Sequence, residues 1–242
     1  MTSKLKSRSG RLFAIGDIHG CPDELATMLR RVDPKREDTV VFVGDYVDRG
    51  PSSRDVVEQL LALKQESACE TIFLKGNHED MLLSFLGLPG RFGESFLFNG
   101  GAATLDSYGV TETELDRVTE LIPEKHLAFF SDLAISYLNP PYLFVHAGVM
   151  PTRQLDEQVP EDMLWIRQEF IFNPHHLGHT VVFGHTPMKS VMLDLPYKIG
   201  IDTGLVYGNK LTCIEFREGL LYQVGRNSRE AKLQHLEHGR IA

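Results

Sequence analysis

"TVVFVGDYVDRG", Thr39–Gly50, is the stretch on which the fold turns. Thr39–Val43 are β-branched or aromatic and uncharged. Such a short apolar run reads as a strand buried on both faces. Gly44, Asp45, Asp48, Arg49 and Gly50 follow almost at once. A buried, unpaired carboxylate costs several kcal/mol. The strand must therefore hand its two carboxylates to something that offsets that cost.

The same rhythm extends to either side. "RLFAI" (11–15) and "TIFLK" (71–75) are short apolar runs. "PDELATMLRRV" (22–32) places Leu25, Met28, Leu29 and Val32 on one helical face, with Pro22 near its start. "SSRDVVEQLLALKQ" (52–65) does so with Val56, Leu60 and Leu63, and offers a serine as cap. Strand–helix–strand–helix–strand order implies parallel strands with crossover helices. From about residue 80 to 132 the chain reads as helical and irregular, broken by glycines. Strands then dominate, at 134–138, 142–146, 180–183, 190–195, 210–216 and 220–224, with a helical insert near 161–172 and a hairpin turn at 217–219. One domain over residues 11–225 is expected, with helices outside two stacked sheets. Residues 226–242 are expected to form a polar tail, frayed helix or disorder.

The 242 residues carry 25 basic and 33 acidic side chains, a net charge of −8. That balance argues against a generally basic face for nucleic acid. Cys21, Cys69 and Cys213 form no CxxC pair and suit a reducing compartment. "MTSKLKSRSGRLFAIGD" lacks the apolar core of a secretory signal. No apolar run approaches the ~18–20 residues of a membrane span. A cytoplasmic protein without membrane or nucleic-acid partners, monomeric by default, is expected.

Five apolar runs end alike. Gly16-Asp17, Gly44-Asp45, Gly76-Asn77 and Gly184-His185 each close a run, and "YLFVHAG" closes on His146 with Gly148 just after. Functional groups in open α/β sheets gather beyond the carboxyl ends of strands. Taken singly these signals are weak. Asp17-x-His19 is an ordinary capped turn, "GNHE" a helix start with Asn77 as cap, and "HAG" or "GH" says almost nothing. Together they assemble Asp17, His19, Asp45, Asn77, His146 and His185, a set of two carboxylates, one amide and three imidazoles. One divalent ion would take Asp17, His19 and a shared Asp45. A second would take Asp45, Asn77, His146 and His185. Mixed oxygen and nitrogen donors suit Mn²⁺, with Fe or Zn²⁺ as alternatives, better than Ca²⁺.

"GDIHG" (16–20), "GDYVDRG" (44–50), "GNHE" (76–79), "HAG" (146–148) and "GH" (184–185), with "LWIR", "FGHTP" and "IDTG", resemble the signature set of the phosphoprotein phosphatase family of metallophosphoesterases. The resemblance is to its bacterial and phage (lambda-type) branch and runs from about residue 12 to 224. It implies an α+β, four-layer calcineurin-like metallophosphoesterase fold, a central β-sandwich flanked by helices with two divalent metals at one edge. It also implies His78 as general acid, Asp48 as its partner, and Arg49 and Arg167 as phosphate-binding arginines. No segment resembles the inhibitor-sensitive loop of the eukaryotic branch.

The reaction implied is hydrolysis of a phosphoserine or phosphothreonine protein or peptide, and of phosphotyrosine as an extension, by water activated between the metals. Symmetrical hydrolases of diadenosine tetraphosphate share the scaffold and are the alternative. Their pattern usually lacks the second Asp of "GDYVDRG" and has Asp in place of Glu79, so Asp48 and Glu79 favour the phosphatase. A non-catalytic scaffold of the same fold would have lost ligands that are all present here. Cys21 is expected to be a bystander. His175, His176 and His179 are expected in a solvated loop, His235 and His238 exposed, and Trp165 and Phe170 in packing.

Overall fold

The computed structural model of the chain describes residues 10–236. The basic residues of the first nine positions and His238 lie outside that range. β1 (Leu12–Ile15), α1 (Pro22–Val32), β2 (Thr39–Phe42), α2 (Ser53–Glu66), β3 (Glu70–Phe73) and α3 (Asn77–Phe85) follow the expected alternation. α4 (Ala102–Ser107) and further short helices lead to β4 (Ser136–Asn139), β5 (Tyr142–Val145), β6 (Thr180–Phe183), β7 (Met192–Asp194) and β8 (Lys198–Gly200). β9 (Lys210–Glu215), β10 (Leu220–Gly225) and β11 (Ala231–His235) close the described chain.

The strands form two sheets. One has six strands in the order β11-β10-β9-β1-β2-β3, the other five in the order β4-β5-β6-β8-β7. β1, β2 and β3 run parallel, with Leu12 beside Thr39 and Thr39 beside Glu70. β5, β6 and β8 are likewise parallel. Alternation along each strand builds the layers. Ala14, Val41 and Ile214 of the first sheet meet Phe144, Val182 and Ile199 of the second. Phe13, Ile15, Val40 and Phe42 point the other way, to Leu25, Met28 and Val56 of α1 and α2. On the far side, Val145, Val181 and Phe183 are covered by Met163, Ile166 and Phe170. The result is the four-layer calcineurin-like arrangement, helix on sheet on sheet on helix.

α1 begins with Pro22, keeps Asp23 and Glu24 in its first turn and Arg30 and Arg31 in its last, and so complements the helix dipole at both ends. The helical insert is two helices, Pro160–Trp165 and Gln168–Ile171, broken at Ile166 and Arg167.

Three expectations need correction. The expected strands leave residues 196–209 without one, yet β8 lies there, opened by Lys198. The lysine is buried, with its ammonium donating to the carbonyls of Phe170, Ile171 and Asn173 at 2.7–2.9 Å. The expected polar tail instead contributes β11, antiparallel to β10. It is tied back by Arg226, whose guanidinium donates to the buried Glu24 at 2.6 Å. His175 is not solvated. Its ring lies parallel to Phe170 at 5.9 Å and hydrogen-bonds the Tyr197 carbonyl at 2.8 Å. His235 is exposed and Phe170 buried, as expected.

Candidate metal centre

The loops that leave β1, β2, β3, β5 and β6 converge at one edge of the sandwich. They bring together Asp17, His19, Asp45, Asn77, His146 and His185, all of which are buried. Close approach of the loops requires glycine. Gly44 has φ 106°, and a Cβ there would lie 2.8 Å from the Gly76 Cα and 2.9 Å from His146 Nδ1. A Cβ on Gly184 would lie 2.0 Å from Asp17 Oδ1. The backbone is also held in unfavourable conformations. His19, Asp45, Asp48, Arg49 and His185 all have positive φ, between 45° and 71°. Such strain persists only where the surroundings over-determine it.

Asp45 sits at the middle. Its Oδ1 faces His146 Nε2 at 3.3 Å and its Oδ2 faces His19 Nε2 at 3.4 Å. The other nitrogen of each ring is already committed. His146 Nδ1 donates to the Val43 carbonyl at 2.8 Å, and His19 Nδ1 donates to the Val47 carbonyl at 2.7 Å. Carbonyls only accept, so in each neutral ring Nε2 is the bare nitrogen. Both carboxylate oxygens thus face unprotonated ring nitrogens; Oδ1 also accepts the His78 backbone N–H at 3.2 Å, and His19 Nε2 accepts from the Arg49 guanidinium at 2.7 Å. Protonating the rings does not resolve this near neutral pH. Burial pulls the His19 pKa down to about 3 and lowers that of His146. A cation on each side of Asp45 does resolve it, and these donors fit two divalent ions.

Two groups of side chains have ligand atoms mutually within 4.8 Å: His19, Asp45 and His78, and Asp45, His146 and His185. They share Asp45, as the sequence reading requires of a bridge. Asn77 joins the second group, its Oδ1 lying 3.0 Å from His146 Nε2 and 2.8 Å from His185 Nδ1. Asn77 is the first residue of α3, not its cap, which frees its side chain to turn inward. Asp17 falls outside both groups, and its Oδ2 accepts the His185 backbone N–H at 3.0 Å. Its Oδ1 is buried without a partner, as is His185 Nε2. Burial and then the nearby Asp202 and Asp45 push the Asp17 pKa well up, while burial holds His185 well below the ordinary value.

His78 is itself a member of the first group, where the sequence reading places Asp17. Its Nδ1 meets Asp48 Oδ2 at 2.6 Å, which leaves Nε2 toward Asp45, 4.0 Å away. Burial alone would lower its pKa, but Asp45 and Asp48 outweigh burial and raise it. Asp48 is fully buried and fixed in turn. Its carboxylate accepts from the Thr104 hydroxyl at 2.6 Å, and its N–H donates to Thr104 at 2.8 Å and Ser53 at 3.1 Å. Arg49 is half-buried, with one guanidinium nitrogen 2.7 Å from His19 Nε2. Arg167, at the break between the two short helices, is exposed at the rim and donates to the His185 carbonyl at 3.3 Å. Both sequence-named arginines therefore reach the cage.

Sequence reasoning missed two supporting residues, Thr104 and Asp202, and read Glu79 as a substrate signal rather than a brace. Thr104 holds Asp48 from 56 positions away, with no local signal. Asp202 follows β8, whose shortness hid a sixth strand ending in an acidic residue. Burial raises its pKa to about 6. Glu79 accepts the N–H groups of Asp45, Tyr46, Val47 and Gly76 at 2.7–3.2 Å and so braces the loop after β2. Cys21 is the bystander expected. Its thiol donates to the His19 carbonyl at 3.2 Å, and burial pushes its pKa up to about 12.

The family model for calcineurin-like phosphoesterases matches residues 10–213. Serine/threonine-protein phosphatase 1 of Salmonella typhimurium is 32% identical over 218 residues, covering 83% of this chain and 89% of that one. The asymmetrical bis(5'-nucleosyl)-tetraphosphatase PrpE of Oceanobacillus iheyensis is 27% identical over 242 residues, covering 86% and 89%. A crystal structure of a protein with a provisional assignment as a diadenosine tetraphosphatase is 27% identical, with a TM-score of 0.67 over 92% of this chain and 96% of that one.

Proposed function

We propose, from the premise that this chain belongs to the calcineurin-like phosphoesterase family, that it is a divalent-metal-dependent hydrolase of dinucleoside tetraphosphates. The observation that carries a phosphohydrolase is the carboxylate of Asp45 facing unprotonated imidazole nitrogens on both sides, with two guanidinium groups at the rim, one of them donating to His19 Nε2. The choice of a phosphoanhydride rests on the two nearly full-length likenesses to tetraphosphatases. The sequence preference for a phosphoprotein rested on Asp48 and Glu79. Glu79 is buried and spent on backbone N–H groups, so it selects no substrate, and Asp48 acts only through His78.

Asp45 would be shared between two divalent ions, with Asp17 and His19 on one side and Asn77, His146 and His185 on the other. Bound there, the ions supply Lewis acidity and a water acidic enough to lose its proton near neutral pH. Mn²⁺ is the proposed pair, with Fe or Zn²⁺ fitting the same donors. Arg49 and Arg167 offer planar forks to phosphate oxygens and orient the chain of phosphates. His78 holds a proton on Nε2, toward the cage, and gives it to the leaving oxygen. Asp48 keeps the ring oriented by accepting from Nδ1. The three cysteines are buried free thiols, which suits the proposed cytoplasmic location.

A second reading has its own support. The His78–Asp48 pair suits a poor alkoxide leaving group, and the Salmonella relative is a serine/threonine phosphatase. Purified protein with Mn²⁺, assayed on diadenosine tetraphosphate and on a phosphoserine peptide, separates the two. A kcat/KM at least about tenfold higher for the tetraphosphate is expected. AMP and ATP are the expected products, as for an asymmetrical hydrolase, and two ADP would indicate symmetrical cleavage. A reversed preference would make the protein a phosphoprotein phosphatase.

A further inference from the structure

Two aromatic rings stand exposed beside the cage, and packing accounts for neither. Phe98 is 94% exposed and Tyr207 is 61% exposed. Together with Arg49, Asn99, Gly100 and Val206 they line an open depression of about 450 Å³. That volume lies within the ~300–1,000 Å³ of small-molecule sites. The Arg49 guanidinium carbon lies 5.5 Å from the centre of the Tyr207 ring, while one nitrogen of the same group is 2.7 Å from His19 Nε2. A single arginine side chain therefore spans from the aromatic floor to the cage.

Both rings are carried on braced backbone. Phe98 belongs to a π-helical turn, Leu97–Gly101, that is docked on the loop after β2. The Arg49 N–H donates to the Gly100 carbonyl at 3.1 Å. Gly100 has φ 100°, and a Cβ there would lie 2.8 Å from Arg49 Cγ. The Asn99 amide is fixed by the Ser95 carbonyl at 2.8 Å. Tyr207 ends a short turn, Leu205–Tyr207, that is anchored by the buried Leu205 and by the Gly204 N–H donating to Asp202 at 2.9 Å.

We infer that this depression seats one purine base of the substrate, stacked on Phe98 and Tyr207, while Arg49 holds the adjoining phosphate. The inference rests on the dinucleoside tetraphosphate reading and deepens it. Flat aromatic faces beside a cation are the surface on which bases stack regardless of their hydrogen-bond pattern. A base resting one arginine away from the cage brings the phosphate nearest its own nucleoside to the metal ligands. That geometry matches release of a mononucleotide.

The test compares AMP with ribose 5-phosphate as competitive inhibitors of p-nitrophenyl phosphate hydrolysis by the Mn²⁺-loaded enzyme. The two share the sugar phosphate, and only AMP carries the base. AMP is expected to bind about tenfold more tightly in the wild type. Phe98→Ala should erase most of that ratio, and Phe98→Tyr, which restores a ring, should recover it. An AMP-to-ribose 5-phosphate ratio near one in the wild type, or one untouched by Phe98→Ala, overturns the base site. Diadenosine tetraphosphate turnover is measured alongside. Turnover without an AMP preference sinks the base site alone. An AMP preference without turnover sinks the tetraphosphatase reading and leaves the base site standing.

Discussion

β1 and β2 carry buried carboxylates at both of their ends, and the two ends treat them oppositely. Where the strands begin, Asp38 is 4% exposed and surrounded by donors. It accepts from the Arg11 amide at 2.7 Å, the Arg11 guanidinium at 2.6 and 3.1 Å and the Lys35 amide at 2.7 Å. Where the strands finish, Asp45 is 1% exposed, yet its oxygens face bare imidazole nitrogens, and Asp17 Oδ1 has no partner. Neither carboxylate is open to solvent, and the finishing end lies deeper. What separates them is whether the fold itself supplies the positive charge. A carboxylate ringed by donors is part of the scaffold. One left with a single backbone N–H and no cationic partner, as Asp45 Oδ1 and Asp17 Oδ2 are, is reserved for a cation that must come from outside.

The hardest test of that division is Asp45→Asn. Removing the charge shared by both sites should lower kcat/KM on the order of 10³-fold. Metal content, measured by elemental analysis, should fall with it. A variant that kept two metals and full activity would break the comparison at its centre. His78→Asn comes next. It leaves every expected ligand in place and removes only the proton donor. A loss of about 10²-fold is expected with a phosphoserine peptide and much less with p-nitrophenyl phosphate, whose leaving group needs no proton. Equal losses on both substrates would remove His78 from the acid role.

Gly184→Ala sharpens the comparison further, because it changes no polar group. The added methyl would press on Asp17 Oδ1 from 2.0 Å. Metal affinity should weaken about 10–100-fold, as when groups supporting a metal ligand are disturbed. Titration of the apoprotein with Mn²⁺ reads this directly. Unchanged affinity would mean that Asp17 stands outside the cage.

These finishing ends were legible in the sequence because each ligand except His19 follows a short apolar run within a residue or two, and His19 follows Asp17 by two. Strand pairing then does the rest. Parallel strands in register end at one edge, so five loops must meet there. The alternation of α1, α2 and the first three strands was legible for the same reason: each element carries its own period. What stayed hidden lacks a local signature. Thr104 and Glu79 matter through contacts 56 and 32–34 residues away. β8 hides behind a buried lysine, and β11 reads as polar because all but its first residue are exposed. Substrate choice was legible least. It lies in exposed rim residues such as Phe98 and Tyr207, where no hydrophobic period constrains the sequence.

The starting end gives the smallest expected effect on catalysis and a distinct one on stability. Burial alone would raise the Asp38 pKa, but Arg11 and the Lys35 amide together hold it below the ordinary value. Its folded pKa therefore lies beneath the unfolded one. The resulting stabilisation is fully present above about pH 4, the unfolded value, and is lost as pH falls through the lower folded value. Asp38→Asn keeps an acceptor but gives up the charge-assisted bonds, a loss of about 2 kcal/mol. For a chain of this size that lowers Tm by about 4–8 °C near neutral pH. The gap between wild type and variant should close as the solution is acidified below pH ~4. At a temperature where both are folded, kcat and metal content should match, because none of the carboxylate's partners touches the cage. If activity or bound metal fell in a still-folded Asp38→Asn, the two ends of the strands would be coupled, and the separation of scaffold charge from cation-binding charge would not hold.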